Sequence, residues 1–195
     1  MLRRAIGLVL VLAMGFAIGH AVVSATYAGP AVFPEGKKTI TLNSADGTAL
    51  TIGTATFTPE GSGAKVSVEM TAAEYQDEFL SMRPFRCLAD AKETWCHLEY
   101  PYEVAGHVTA DDLVDLEYKL LFLFKSPAGY GIDGWNGLYF KLALQEDGSI
   151  SGNVHDTDLN VLAVPPEDRK ARVVTHKDLT AVEPDAHRFA RIEIR

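Results

Sequence analysis

The densest group of side chains that could bind a metal ion is the run His155-Asp156-Thr157-Asp158. Imidazole and carboxylate groups are common ligands of divalent metals, so His155, Asp156 and Asp158 would supply three ligands for a metal-dependent hydrolase. In a continuous strand the histidine and the two aspartates would point to opposite faces, and only a loop would bring all three together. The complete acidic loop of a calcium site is absent. A solvated loop is the favoured interpretation, and no cofactor is predicted, with a divalent metal at these residues as the alternative.

A second candidate site is the glycine-rich stretch at residues 129–137, which contains four glycines and two large aromatic residues. A loop of this composition could present Tyr130, Trp135 and Asn136 to a ligand, because aromatic rings offer apolar faces together with a polar edge. The favoured interpretation is a plain turn whose glycines take positive φ while the rings seal the core, and the loop is still the best candidate for a binding site. A phosphate-binding loop is excluded, since no Gly-Lys-Ser or Gly-Lys-Thr follows.

A further group of aromatic residues lies near the cysteines. Trp95, Tyr100 and Tyr102 could line the mouth of a ligand pocket. Rings in such a segment more often pack a small satellite core beneath an irregular loop.

The chain has two cysteines, Cys87 and Cys96. In an exported protein a close pair normally oxidises, so a disulfide is predicted. The alternative is a soft-metal site built from both thiolates and His97. That site lacks a fourth ligand at zinc-like spacing, and neighbouring residues on a strand point to opposite faces.

Sequence motifs for hydrolytic catalysis are absent. There is no G-x-S-x-G nucleophile elbow and no H-E-x-x-H helix, and a disulfide would leave no free cysteine. The sequence therefore favours a non-catalytic ligand-binding or envelope-accessory protein, with the metal-dependent hydrolase as the alternative.

The N-terminus has the pattern of a secretory signal. Two arginines within Met1–Arg4 precede fifteen uncharged, mostly apolar residues, and small residues suited to signal peptidase follow. Residues 1–28 are predicted to be a signal peptide that is cleaved after Ala25 or Ala28, which places the protein in the periplasm or outside the cell. The alternative is an uncleaved anchor in the inner membrane, since the uncharged stretch could reach the length of a membrane-spanning helix.

The charge balance argues against nucleic acid as a partner. The 195 residues include 18 basic and 26 acidic side chains, and removal of the signal peptide would take away two arginines. The remaining basic residues are scattered, whereas a protein that binds the phosphate backbone needs them clustered. A small molecule or an envelope protein is the more plausible partner, and membrane contact is predicted only through an uncleaved N-terminal segment.

The hydropathy pattern predicts a mainly β fold. Residues 29–38 are expected to be a flexible entry, and residues 39–195 a single β-rich domain. Apolar and polar residues alternate at positions 40–42, 50–57, 65–70, 138–144, 150–154 and 190–194, with Asp-Gly turns at 46–47 and 147–148. The architecture expected is an antiparallel sandwich or partly closed barrel with one or two short helices.

Two regions are harder to interpret. Residues 71–96 look irregular, whereas Thr109 resembles the N-cap of a short helix that changes to a strand near Glu117. In the α+β alternative, a longer helix from Asp111 to Leu121 lies across the sheet.

Several short stretches also resemble a group of uncharacterised exported bacterial proteins. The resemblance covers residues 79–192 and implies a Gram-negative periplasmic location, but it brings no activity or site residue. The stretches are Phe85–Leu88, Trp95–Glu103, Asp112–Lys125, Tyr130–Ile132, Trp135–Gly137 and Val164–Pro166.

Overall fold

A computed structural model of the chain describes residues 33–71, 73–79 and 84–195. The predicted signal peptide and its cleavage sites lie outside these residues. The described part contains twelve β-strands, one short α-helix and two 3₁₀ turns, so the prediction of a mainly antiparallel β fold is confirmed. The strands are β1 (Gly36–Asn43), β2 (Ala49–Glu60), β3 (Gly63–Met70), β4 (Gln76–Phe79), β5 (Pro84–Ala89), β6 (Thr94–Leu98), β7 (His107–Val108), β8 (Leu121–Lys125), β9 (Gly137–Leu144), β10 (Ile150–Thr157), β11 (Thr180–Ala181) and β12 (Arg191–Ile194). The helix α1 spans Val114–Glu117, and the 3₁₀ turns span Tyr118–Leu120 and Leu159–Ala163.

The strands form one antiparallel sheet. Its order is β4-β5-β6-β8-β9-β10-β12-β1-β2-β3-β7, and β11 pairs with β10 beside this path. The order runs from β4 at one end to β7 at the other, so the hydrogen-bonded path does not close on itself in the described residues. Strands from both ends contribute side chains to a common core, which gives the fold its sandwich-like character.

The two hairpins predicted from alternation and Asp-Gly turns are both present. The strands β1 and β2 pair around the first turn, and β9 pairs with β10 over eight residues around the second. In the second turn, Gly148 has a φ of 79°, a conformation that glycine adopts without steric cost. The carboxylate of Asp147 accepts the backbone N–H of Ser149 at 3.0 Å, which fixes the turn.

The sheet has apolar side chains on both faces of its β5-β6-β8-β9 part. The larger core lies on one face and includes Ile40, Ile52, Trp95, Phe122, Phe140 and Ile192. A smaller core lies on the other face and includes Cys87, Cys96, Tyr118, Tyr139, Leu159 and Val174. The irregular chain after β10 covers this second face, so β8 and β9 are buried on both sides.

Residues 71–96 were expected to be irregular, and this expectation is wrong. They contain β4, β5 and most of β6, which pair in sequence. Every residue of β4 is at least partly exposed, so the strand carries no alternation of apolar and polar residues that would identify it.

The helix is shorter than expected and starts later. Thr109 is not an N-cap, because it exchanges two backbone hydrogen bonds with Asp112 in an isolated bridge. The helix α1 ends at Glu117, where the change of structure was predicted, and a 3₁₀ turn separates it from β8. The alternative with a long helix over Asp111–Leu121 is therefore wrong.

Two boundaries near the ends of the domain also differ from expectation. The strand β1 begins at Gly36, inside the segment predicted to be flexible, and the ring of Phe33 packs edge-on against Phe57 with centroids 5.9 Å apart. At the other end, Ile192 and Ile194 of β12 are buried, as the alternation predicted. Over residues 33–71, 73–79 and 84–195, no helix is long and apolar enough to cross a membrane.

Candidate functional site

The connection between β8 and β9, residues 126–136, carries two large aromatic rings at the protein surface. Tyr130 is fully exposed, and Trp135 is 69% exposed. The interpretation that these rings seal the core is therefore wrong. Ile132, between them in the loop, packs partly against the smaller core instead.

Several hydrogen bonds fix the backbone around Trp135. Its N–H donates to the carboxylate of Asp133 at 3.1 Å, and the N–H of Asn136 donates to the carbonyl of Asp133 at 3.1 Å. The carbonyl of Asn136 accepts the N–H of Phe124 at 2.9 Å, which extends the contact between β8 and β9 into the loop. Asn136 thus has a clear backbone role in positioning the neighbouring tryptophan.

The loop lies directly against the 3₁₀ turn Leu159–Ala163. The N–H of Leu159 donates to the carbonyl of Gly134 at 2.8 Å. A Cβ atom on Gly134 would lie 2.5 Å from the side-chain oxygen of Asn160, so this position requires glycine for close approach. The two segments are therefore in direct contact at Gly134.

Four exposed hydrophobic side chains lie on or next to these two segments, and we refer to them together as the apolar surface: Tyr130, Trp135, Val161 and Val164. A cavity of about 220 Å³ opens between the loop, the 3₁₀ turn and the chain after β6. Its side-chain lining is mostly aliphatic, with Glu99 as the charged member, and includes Leu98, Pro101, Leu123, Leu159 and Leu162. This volume is below the range typical of drug-sized ligands and fits a single apolar side chain.

Tyr100 and Tyr102 support this region from below. The hydroxyl of Tyr102 donates to the carbonyl of Leu162 at 2.5 Å, and the ring of Tyr100 stacks on Tyr118 with centroids 4.2 Å apart. Both are half-buried and pack against the smaller core. Tyr102 holds the 3₁₀ turn in place, and the packing of both rings agrees with the satellite-core interpretation.

Trp95 does not join the surface. It is fully buried in the larger core, and its indole N–H donates to a carboxylate oxygen of Glu93 at 2.9 Å. Its predicted place in a ligand pocket does not fit this position, because a fully buried ring has no face open to a ligand. The strand β6 turns it toward the larger core and its neighbour Cys96 toward the smaller one.

The two cysteines form the predicted disulfide. Cys87 and Cys96 occupy directly opposed positions of β5 and β6. The thiolate alternative is wrong because both sulfur atoms are bonded to each other. His97 lies on the other face of the strand, where its ring contacts Phe122 and its Nε2 is 3.0 Å from the carbonyl oxygen of Lys119.

The three predicted metal ligands each have a different partner. His155 Nδ1 is 3.1 Å from the carbonyl oxygen of Asn153, and Asp156 contacts His187 with 2.7 Å between Oδ1 and Nε2. Asp158 accepts the N–H of Asn160 at 2.8 Å and so caps the second 3₁₀ turn. In the part of the chain that the structure describes, no three histidine, cysteine or acidic side chains are grouped to hold a metal ion.

Sequence reasoning missed a buried group centred on His187. This imidazole lies between two carboxylates, with Nδ1 at 3.0 Å from Glu93 and Nε2 at 2.7 Å from Asp156. Burial lowers the pKa of His187, but the hydrogen bonds to the two carboxylates outweigh it, and the pKa is raised above 6.5. Nothing in the local sequence around residue 187 points to carboxylates 94 and 31 positions earlier.

A second buried group that the sequence did not reveal surrounds Glu117. Its side chain is 1% exposed and accepts three hydrogen bonds: the hydroxyl of Tyr139 at 2.5 Å, the backbone N–H of Leu142 at 2.7 Å and Nε2 of His176 at 2.8 Å. The ladder between β8 and β9 consists of the pairs at Gly137 and Leu138. Further along β9, the carboxylate therefore takes the place of a neighbouring strand for the N–H of Leu142.

No protein-family model matches the chain, and comparisons with curated proteins and with solved structures likewise found no match. The function has to be argued from the geometry of the chain itself.

Proposed function

We propose that this protein is an exported, non-catalytic binding module that recognises an apolar side chain of a protein partner in the cell envelope. One observation carries the proposal. Of the five large hydrophobic side chains that are exposed in the described residues, four belong to the apolar surface, and the fifth is Phe79 on β4. Exposed apolar side chains scattered singly are common in monomeric proteins, whereas their concentration on contacting segments marks an interaction site.

The chemistry of the apolar surface supports recognition of a protein. Tyrosine and tryptophan are enriched among the residues that contribute most to binding energy at interfaces, and such residues pack beside pockets that receive a side chain of the partner. The 220 Å³ cavity beside Gly134 has the size and the aliphatic lining for one such side chain. Because hydrogen bonds fix the loop before binding, little conformational entropy is lost on association.

Export is proposed from the N-terminal signal pattern and is supported by the disulfide, since such bonds persist in oxidising compartments. Mass spectrometry of protein purified from the periplasm tests this part. Without reductant, the denatured mass is expected to match a chain that begins at Thr26 or Gly29. It is also expected to be two hydrogens lighter than the mass of the same chain after reduction. An intact Met1 would contradict cleavage and favour the membrane anchor.

Binding is tested with capped hexapeptides that carry one leucine or one phenylalanine among alanines and serines. Trp135 provides the signal, because its ring is exposed, whereas Trp95 is fully buried. Leucine or phenylalanine peptides are expected to protect the Trp135 fluorescence from acrylamide in a saturable manner, and an all-alanine peptide is not.

Two variants control this experiment. Val164→Ala removes part of the apolar surface and is expected to weaken peptide binding, whereas Phe79→Ala removes an equally exposed side chain elsewhere and is expected to leave it unchanged. Equal losses in the two variants, or protection by the all-alanine peptide, would contradict the proposal.

A further inference from the structure

A second cavity, of about 560 Å³, lies between the chain joining β6 to β7, the helix α1 and the segment at residues 170–172. It shares no lining residue with the 220 Å³ cavity beside Gly134. Its volume is in the range of sites that bind small molecules. We refer to it as the charged cleft.

One wall of the charged cleft contains an arginine that is ion-paired with two aspartates. One guanidinium nitrogen of Arg172 lies 2.8 Å from a carboxylate oxygen of Asp112 and 3.5 Å from one of Asp115. A single cation therefore faces two carboxylates. Lys170, His107 and a third acid, Glu103, also line the cleft.

The two aspartates differ in how firmly they are held. The side chain of Asp115 is 8% exposed, and its Oδ2 accepts the backbone N–H of Gly106 at 2.8 Å and that of His107 at 3.3 Å. Asp112 and Arg172 are both a little over 40% exposed. The buried carboxylate thus forms a fixed wall, while the arginine can turn without unfolding its surroundings.

Both members of the exposed pair are charged at neutral pH. Burial raises the pKa of Asp112, but hydrogen bonding to Arg172 outweighs it, and the pKa lies below 3.8. The hydrogen bond to Asp112 raises the pKa of the Arg172 guanidinium. A ligand entering the cleft therefore meets full charges of both signs, which are paired with each other in its absence.

The presence of both signs of charge in one wall selects the ligand class. A simple anion that took Arg172 would leave two carboxylates facing one another, and a simple cation that took the carboxylates would leave the guanidinium unpaired. A ligand with both an ammonium and a carboxylate group offers the carboxylates and the guanidinium each a partner of opposite charge. Val104 and the ring of Tyr118 add an apolar part to the wall, which suits a carbon skeleton.

We propose that the charged cleft binds a small dipolar molecule of the α-amino acid type. The ammonium group would bind to Asp112 and Asp115, and the carboxylate would bind to Arg172 with support from Lys170. This function is independent of the apolar surface, so either site can be tested without the other.

Isothermal titration calorimetry on the mature, disulfide-bonded protein tests the proposal. The twenty L-α-amino acids are titrated one at a time, and the tightest is compared with the amine lacking its carboxylate and the acid lacking its ammonium group. We expect saturable binding of at least one amino acid in the millimolar range or better, and binding of each singly charged analogue about tenfold or more weaker.

Variants locate the binding. Arg172→Gln and Asp112→Asn are each expected to weaken binding by about tenfold or more. Arg195→Gln breaks a comparably exposed ion pair with Glu193, at 2.6 Å on the sheet, and is expected to have no effect. Melting curves identify any variant that fails to fold, and Arg172→Lys, which keeps the charge, is expected to retain part of the affinity.

Three results would overturn the proposal. The first is that no amino acid binds at millimolar concentrations. The second is that an amine or an acid binds as tightly as the amino acid. The third is that Arg195→Gln weakens binding as much as Arg172→Gln.

Discussion

Replacing the buried carboxylate of Glu117 with a methyl group tests how the sheet is completed beyond the first residue of β8. In Glu117→Ala, the N–H of Leu142 and the hydroxyl of Tyr139 lose their acceptor inside the protein. Each unsatisfied buried donor costs about 1–3 kcal/mol, so we expect a loss of about 2–6 kcal/mol in the free energy of unfolding. The contact with His176 adds less than about 1 kcal/mol, since that side chain is 39% exposed and screened by water.

The assay is urea unfolding with the disulfide intact, followed by circular dichroism at neutral pH. A lower midpoint with an unchanged dependence on urea reports a loss of stability in the native state. The matched control is Glu69→Ala, which removes an exposed carboxylate 3.8 Å from Lys37 and is expected to change stability by less than about 0.5 kcal/mol.

A second substitution makes the test specific to the hydrogen bonds. Adding Tyr139→Phe to Glu117→Ala removes one of the two unpaired hydrogen-bond donors. The double variant is therefore expected to regain about 1–2 kcal/mol in the free energy of unfolding relative to Glu117→Ala alone. If Glu117→Ala behaves like Glu69→Ala, or if Tyr139→Phe adds its full cost in both backgrounds, the carboxylate does not complete the edge of β9.

Three further predictions concern the core, the disulfide and a buried histidine. Trp95→Ala is expected to cost about 3–5 kcal/mol in urea unfolding, because the ring is fully buried, and a loss below 1 kcal/mol would contradict its place in the core. Replacing Cys87 and Cys96 by serine is expected to cost about 2–3 kcal/mol from the nine-residue separation, and an unchanged urea midpoint would contradict it. The raised pKa of His187 stabilises the fold fully below about pH 6.5, and this contribution is lost as the pH rises through the folded-state pKa. His187→Gln should therefore lose more stability at pH 6 than at pH 9, and equal losses would show that protonation of His187 does not contribute.

The hairpins were predictable because the alternation and the turn residues that specify them lie within the paired segments themselves. In β9 and β10, the apolar residues of one face, Leu138, Phe140, Leu142, Ile150 and Val154, are buried as the alternation predicts, although Tyr139 and Ser151 on the other face are buried as well. The strand β4 was not predictable, because it is exposed along its length and is formed by pairing with β5 rather than by burial of its own side chains.

The sites show the same difference between local and long-range information. Glycine and aromatic content identified the loop that carries Trp135, but not that Ile132 packs against the smaller core while the tryptophan ring is exposed. The local sequence around Glu117 does not indicate burial, because the partners of its carboxylate, Tyr139 and Leu142, lie more than 20 positions later on β9. The charged cleft joins Asp112 to Arg172, 60 positions later, and no sequence pattern at either end indicates the other.

Photo-crosslinking in intact cells tests the proposed interaction surface most directly. A benzophenone amino acid is placed at position 135 in the full chain and, in a separate strain, at position 79, which carries the exposed hydrophobic residue outside the apolar surface. We expect a discrete protein adduct from position 135 that Val164→Ala diminishes, and no such adduct from position 79. Adducts of the same size and yield from both positions, or none from position 135, would contradict the account.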